Sequence, residues 1–345
     1  MKIGILYNVV NELSRGNAMD IIADQDVLNT VKGVEGALKA AGHDVRLIAV
    51  DDNLYENLRA AKLEMIFNLG EGIGSNIIAE AYIPAMLDMV GTPYTGSNFL
   101  TLSVCLDKAK TKQILLSMGL PTARFQIFKA AADELNLSLK FPMIVKPIHE
   151  DASIGITNES VVKDEEQLRK RVAYVVETYK QSALVEEFID GREVNVSVIG
   201  NRDPIALPIE ELQFQNMPEG AYNICSYQAK WMPDTEVFQK TVPVCPAPLA
   251  KNVESRIKKL AVAAYKIMEC QDYARIDIRI DKDNNPFILE VNPNPDIGPT
   301  DTAFTRAAAA NGISYNELIK RILEYAVERQ RSEKRVEEKL HLIEV

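Results

Sequence analysis

The segment YARIDIRIDKDNNPFILEVNPNPD, residues 273–296, constrains this chain more than any other. Strict alternation over 273–280 predicts a strand with Ile276, Ile278 and Ile280 on one face and Arg275, Asp277 and Arg279 on the other. Residues 282–285 (KDNN) are turn-formers, and Asp281 opposite Pro286 closes a four-residue hairpin loop. That register pairs Asp277 with Glu290 and Arg275 with Asn292. It sends Phe287, Leu289 and Val291 to the core, and Ile288, Glu290 and Asn292 to the other side. Two carboxylates set directly opposite repel unless a cation lies between them. Asp, Glu and Asn offer hard oxygen donors, which suit Mg²⁺ bridging to phosphates rather than zinc. The bland alternative is a solvated sheet face whose charges keep it soluble. Four such residues, ending in Asn-Pro-Asn-Pro, favour the metal-binding face.

Upstream, apolar runs at 2–7, 45–50 and 65–69 alternate with helical spacing at 27–41 and 77–90. Strands alternating with helices imply a parallel sheet with crossover connections. The turn-rich GTPYTGS at 91–97 ends this block. A second block carries a helix at 107–118, a strand at 141–146, a loop at 147–156 and a helix at 164–180. A third opens with LVEEFIDG (184–191), continues as short strands to 292 and turns helical from Thr302. The expected domains are therefore 1–97, 98–183 and 184–345, which suits a chain of 345 residues. Residues 328–345 are charge-dense and read as a solvated helix. A balance of 39 basic against 49 acidic residues gives a net charge of −10, which argues against broad binding to nucleic acid or anionic membrane. The apolar run at the start is too short for a membrane span. Four cysteines without CxxC spacing and three histidines argue against a zinc cluster, and the cysteines read as core. The expected location is the cytoplasm.

Three further features point to an anionic ligand. The strand at 141–145 ends in Lys146, which carries a charge to a site wall where a phosphate satisfies it. In the loop HEDASIGI that follows, the amides around Ser153 and Gly155 are candidate phosphate donors. Lys108 sits at a helix start, where a cation opposes the helix dipole and calls for an anionic partner. A surface lysine beside an ordinary loop is the alternative in both cases. In LVEEFIDG, the strand-end acids and backbone around Phe188 are candidates to read an adenine edge, with Glu193 reaching a ribose hydroxyl; a plain edge strand is the alternative. GEGIGS (70–75) lies between a strand and a helix but lacks the nucleotide-loop patterns, and reads equally as a substrate loop or a turn.

Taken in order, MLDMVGTPYTGS, LDKAKTK, FPMIVKPIHEDASIGI, LVEEFIDGREVNVSV, QAKWMPD, the 273–296 hairpin and ISYNELIKRILEYA resemble the ATP-grasp superfamily, and within it the D-alanine–D-alanine ligases. The resemblance runs from about Met86 to Tyr325. It implies an α/β chain: an N-terminal parallel-sheet domain followed by a two-lobed ATP-grasp fold of α+β character. It implies an ADP-forming carboxylate–amine ligase working through an acyl phosphate. By resemblance, Lys108 and Lys146 contact ATP phosphates, with Ser153 in the phosphate loop. Glu186, Glu187, Phe188 and Ile189 line the adenine together with Leu289, and Glu193 binds ribose. Lys230 reaches the γ-phosphate. Asp277, Glu290 and Asn292 hold two Mg²⁺ ions, with Mn²⁺ as the alternative metal, and Arg275 stabilises the reacting carboxylate. The implied partners are ATP and amino-acid-like small molecules, with a second copy of the chain as a further candidate.

The departures from the family pattern fall on the amino-acid side. Ala152 stands where the ligases carry a serine, and Trp231 where they carry a tyrosine. These two normally hydrogen-bond to each other and to an N-terminal glutamate that anchors the first substrate's ammonium. Here that segment reads YNVVNELSRG, which leaves Glu12, Asp24 and Asp26 as unranked substitutes. Asp296 ends the motif after the metal strand, and Asp301 aligns near the serine that meets the second substrate's carboxylate. The expectation is an active ligase with a changed substrate, its acceptor cationic or lacking a carboxylate. A true D-alanine–D-alanine ligase is the alternative within the class. A phosphotransferase and a non-catalytic ATP-binding regulator are the alternatives outside it.

Overall fold

The computed structural model describes residues 1–8, 27–73 and 77–341. Three strands, β1 (Lys2–Tyr7), β2 (Asp44–Ala49) and β3 (Met65–Leu69), form a parallel sheet in the order β2-β1-β3. Helix α1 (Val27–Ala40) makes the first crossover and α2 (Leu54–Ala61) the second. The single helix expected over 77–90 is instead a 3₁₀ turn, Ile77–Ala81, followed by α3 (Tyr82–Val90). Pro84 explains the break, because it has no N–H to donate to the carbonyl of Glu80. Two helices follow, α4 (Phe99–Cys105) and α5 (Lys108–Ser117), each opened by a side-chain cap. The Asn98 carboxamide accepts from the Thr101 amide and Asp107 from the Lys110 amide.

A four-stranded antiparallel sheet comes next, with β4 (Phe125–Phe128), β5 (Met143–Pro147), β6 (Val161–Val162) and β7 (Ala183–Glu187) in the order β4-β7-β5-β6. Helix α6 (Glu165–Tyr179) covers it. The last sheet contains β8 (Gly191–Ile199), β9 (Ile205–Ala206), β10 (Glu210–Phe214), β11 (Thr241–Val244), β12 (Tyr273–Asp281) and β13 (Pro286–Asn292). Its main path runs β11-β10-β8-β12-β13, with β9 on β8. Short helices α7 (Tyr227–Trp231) and α8 (Glu236–Lys240) lie between β10 and β11. Helix α9 (Lys251–Ile267) packs behind the sheet, and α10 (Ala303–Ala310) and α11 (Tyr315–His341) close the chain.

The N-terminal parallel sheet is as expected, and the cores run across the expected boundaries. Strand β7, read as the opening of the C-terminal lobe at 184, pairs with β4 and β5 and so belongs to the central sheet. Leu115 of α5 joins the core beneath β8 and β12 instead of the central sheet. Ile3, Ile5 and Phe67 of the first sheet share one core with Tyr273, Phe304 and Ile322 from the end of the chain. The tail is also only partly solvated. Side chains 331–335 are exposed, whereas Arg329 donates to buried Asp272 at 3.0 Å and to the Tyr94 carbonyl at 2.8 Å. Among the described residues no helix is long and apolar enough to cross a membrane.

Candidate active site

The hairpin of β12 and β13 places the central carboxylates. Its loop is one residue shorter than expected: Asp281 donates its amide to Asn285, and Asn284 adopts φ +62°. A left-handed residue at that point is typical of three-residue hairpins. A bulge at Leu289 then restores the pairing of Asp277 with Glu290 and of Arg275 with Asn292. The extra residue reverses the expected faces beyond it. Ile288 is buried in the core beside Ile276 and Ile278, while Leu289 lines the cleft.

Asp277 and Glu290 lie among cations and amides. Arg275 grips Asp277 through two bonds of 2.8 Å, and Asn195 donates to it at 2.6 Å. The Asn292 amide nitrogen faces Asp277 at 3.1 Å and Glu290 at 3.4 Å. Lys108, buried at the start of α5, approaches Glu290 at 3.5 Å and donates to the Glu150 carbonyl at 2.6 Å. Burial alone would raise the Glu290 carboxyl, but Lys108, Lys146 and Arg275 overcome it and hold the group at about 2. Burial likewise works against the Lys108 ammonium, and Asp151 and Glu290 outweigh it and push its pKa up. Among the described residues no three His, Cys, Asp or Glu side chains group to hold a metal by themselves.

Lys146 lies next to the end of β5 and borders the cleft. Its ammonium pairs at 2.9 Å with Glu186, whose other oxygen pairs with Lys112 at 2.8 Å. Glu186 is 1% exposed, borders the cleft, and has each of its oxygens paired with a lysine. Glu187 points the other way, to Arg124 at 3.0 Å. Phe188 stands on the cleft wall with the Arg279 guanidinium 5.0 Å from its ring centroid. Arg279 also donates to the carbonyl of Ile189 at 2.7 Å and to Glu193 at 2.8 Å. Gly191 permits this turn, because a Cβ there would collide with the Ile280 carbonyl oxygen.

The loop after Lys146 carries Ala152 and Ser153 at φ +53° and +63°. Ser153 Oγ donates to the Cys225 carbonyl at 2.8 Å, tying the loop to the chain before α7. Burial, with Glu193 nearby, pushes the Cys225 thiol up to about 12, so it is no activated thiolate. Trp231 Nε1 donates to the carbonyl of Ala152 at 2.9 Å, and the exposed Lys230 ammonium lies 5.1 Å from the indole centroid. The two altered positions therefore still bond, through main chain instead of hydroxyls. These groups line a cleft of about 650 Å³ between the two antiparallel sheets, and a smaller one of about 160 Å³ opens toward the N-terminal domain. Asp296 borders both and accepts from Thr30 at 3.1 Å and from the Gly298 amide at 2.8 Å. Asp301 borders the larger cleft at its solvent side: its side chain is 99% exposed, with Arg306 4.0 Å away.

Residues 114–324 match the family model described as D-ala D-ala ligase C-terminus. The chain belongs to the D-alanine–D-alanine ligase family. It is thus an ATP-grasp carboxylate–amine ligase of the ADP-forming kind. It is 32% identical to the D-alanine–D-alanine ligase of Pelotomaculum thermopropionicum, over 87% of this chain and 92% of that one. It is 36% identical to an uncharacterized protein of Sinorhizobium fredii, over 85% and 86% of the two chains. Two solved structures share the fold. The D-alanine–D-alanine ligase of Bacillus anthracis complexed with ATP has a TM-score of 0.74 at 24% identity, covering 96% of this chain and 99% of that one. The Coxiella burnetii ligase has 0.75 at 18%, covering 99% and 98%.

Within this family frame, Lys108, Lys146, Glu193, Lys230, Arg275, Asp277, Leu289 and Glu290 all border the larger cleft. Asn292 borders the smaller one. Glu12, Asp24 and Asp26 lie outside the described residues, as do Gly74 and Ser75 of the glycine cluster. Sequence reasoning missed Lys112, Asn195 and Glu80, and placed Arg279 on the cleft face without foreseeing its bonds to the Ile189 carbonyl and Glu193. Lys112 stands four residues after Lys108, one helical turn on, and that spacing was a usable signal. Asn195 is the partner of Asp277 across β8 and β12, a pairing no local pattern reveals.

Proposed function

We propose that the protein phosphorylates the carboxylate of one amino-acid-like substrate with ATP and joins it to the amine of another, on a pair other than D-alanine with itself. A carboxylate oxygen takes the γ-phosphoryl group and ADP leaves; the amine then attacks the acyl carbon, phosphate leaves and a proton is released. Lys108 and Lys146 bring positive charge to the phosphates at the cleft wall. Phe188, Ile189 and Leu289 offer an apolar surface to the base, with Glu193 near the ribose. Lys230, exposed on a five-residue helix, engages the γ-phosphate on closure of the cleft. Arg275 offsets charge on the reacting carboxylate.

The donor set fits Mg²⁺. Asp277 and Glu290 present ionised hard oxygens on one face, and Asn292 adds its carbonyl oxygen once its amide is turned over, since the nitrogen now faces both acids. Bound there, Mg²⁺ or Mn²⁺ supplies charge neutralisation for the transferring phosphoryl group. A cytoplasmic setting, where ATP is at hand, belongs to the same reading.

The bond from Trp231 to the Ala152 carbonyl carries the substrate part. An indole donates one hydrogen bond and accepts none, so this link hands nothing on to a neighbouring acid or substrate. A site built around a polar partner discriminates by about 10⁴, and losing that partner forfeits the preference. Asp301, solvated beside Arg306 at the edge of the cleft, gives no strong preference for a cationic acceptor. The test is ADP formation with D-alanine alone, against a panel of amino acids taken in pairs. D-alanine alone should be a poor substrate, and ADP release should need an added amine. Efficient turnover on D-alanine alone restores the reading that the names of several relatives favour, a true D-alanine–D-alanine ligase. ADP release without an amine points to a phosphotransferase, and none with any pair to a regulator.

A further inference from the structure

We propose that Lys112 is a positioning residue that neutralises Glu186, leaving the charge of Lys146 free to hold nucleotide. The inference rests on reading Lys146 as a phosphate contact. Lys112 is 0% exposed, so no ligand reaches it. Its ammonium donates to Thr122 Oγ1 at 2.6 Å and pairs with Glu186 Oε2 at 2.8 Å. Thr122 passes a hydrogen bond of 2.6 Å to the carbonyl of Ile288, the residue before the bulge that sets Leu289 and Glu290 in the cleft. One side chain thus joins α5, which carries Lys108, to β7 and to β13.

The charge count gives this contact its meaning. Glu186 with Lys146 alone is a neutral pair, and its ammonium is held toward the carboxylate rather than toward a phosphate. With Lys112 on the other oxygen, the trio carries one net positive charge. That charge sits on Lys146, 14% exposed and on the cleft wall. Packing alone does not account for three buried charges, since apolar residues of similar volume often hold such a position as well or better. Burial favours neutral Glu186, and the two lysines outweigh it and keep the acid ionised. Burial, reinforced by Lys146, lowers the pKa of Lys112 against the pull of Glu186, as expected for an ammonium held there by one counter-ion.

The experiment measures KM for ATP, kcat and thermal unfolding of the full chain in four variants. Lys146→Met should raise KM for ATP by about tenfold or more; no rise removes the phosphate reading beneath the inference. Lys112→Met should raise it by about tenfold with kcat within about threefold, because a binding charge is cancelled without touching the reacting groups. Lys112→Met with Glu186→Gln removes both charges and should return KM to within about threefold of the parent. A merely structural Lys112 predicts the reverse, a double variant no better than the single one. That result overturns the inference, as does an unchanged KM in Lys112→Met beside a raised one in Lys146→Met. Should Lys112→Met fail to fold, Glu186→Gln decides. With both ammoniums kept, its KM should equal or fall below the parent's, and a rise of about tenfold overturns the inference.

Discussion

Glu290→Gln replaces a carboxylate with an amide of nearly the same shape among three cations. Burial would raise the Glu290 carboxyl, yet Lys108, Lys146 and Arg275 hold it at about 2 against an ordinary 4.5. That depression corresponds to on the order of 3 kcal/mol between its two protonation states. Because the folded value lies below the unfolded one, the contribution is complete above about pH 4.5 and drains away as the pH falls toward about 2. Glutamine has no charge to lose. The variant should therefore be less stable than the parent by up to about 3 kcal/mol at neutral pH, and the gap should close on acidification. Chemical denaturation of both proteins at neutral pH, about pH 4.5 and about pH 3 follows the gap directly. A gap that stays constant over that range refutes the electrostatic account. If the same interaction is expressed in the transition state, turnover falls on the order of 10²-fold or more at saturating Mg²⁺. Turnover within a few-fold of the parent sinks the metal assignment.

The two cleft lysines should separate kinetically: Lys146→Ala weakens ATP binding, while Lys230→Ala mainly lowers kcat, and the opposite split overturns their roles. Arg329→Ala strips the guanidinium from fully buried Asp272 and should cost about 3–5 kcal/mol by denaturation, against about 0.5 or less for exposed Arg331→Ala. Equal effects would return the whole tail to solvent. Ala152→Ser together with Trp231→Tyr should raise kcat/KM on D-alanine by about tenfold or more, with no such gain in either single variant. Additive gains would show that the positions act separately.

The periodicity of 273–280 made the central strand and its cleft face readable, because a sheet repeats every two residues and the isoleucines mark the core. The loop was not readable at the same level. A three-residue turn with Asn284 at positive φ and a bulge at Leu289 leave the pairing of Asp277 with Glu290 intact, so the right pair emerged from a register wrong at its tip. The packing across the expected limits at 97/98 and 183/184 was not readable for another reason. Tyr273 packs on Phe304 at 5.8 Å inside a core that also holds Ile3 and Phe67, and contacts so distant in sequence leave no compositional seam. Glu186 was placed at the adenine by resemblance, and the local pattern of LVEEFIDG does not show which charges meet it. Lys112 and Lys146 decide that, from two other elements.

The exchange of serine and tyrosine for Ala152 and Trp231 is best understood as one change. The indole donates to a main-chain carbonyl, and every residue type at 152 presents a carbonyl. Once tryptophan stands at 231, a serine hydroxyl at 152 has lost its partner, and alanine there leaves no unpaired group. The link between the two loops survives, so the shape of the cleft is kept, but the bond closes on the backbone and cannot relay to a substrate ammonium. Two acids, Asp296 and Glu80, stand around the smaller cleft. Asp296 is oriented there by Thr30 and the Gly298 amide. Glu80 borders it too, its carboxyl pushed well up by burial and then by Glu71, with the Asn294 bond opposing. A carboxyl held toward its neutral form by burial regains its charge when an ammonium arrives beside it. The smaller cleft therefore holds carboxyl groups able to pair with an ammonium, although Ala152 and Trp231 form no hydroxyl relay.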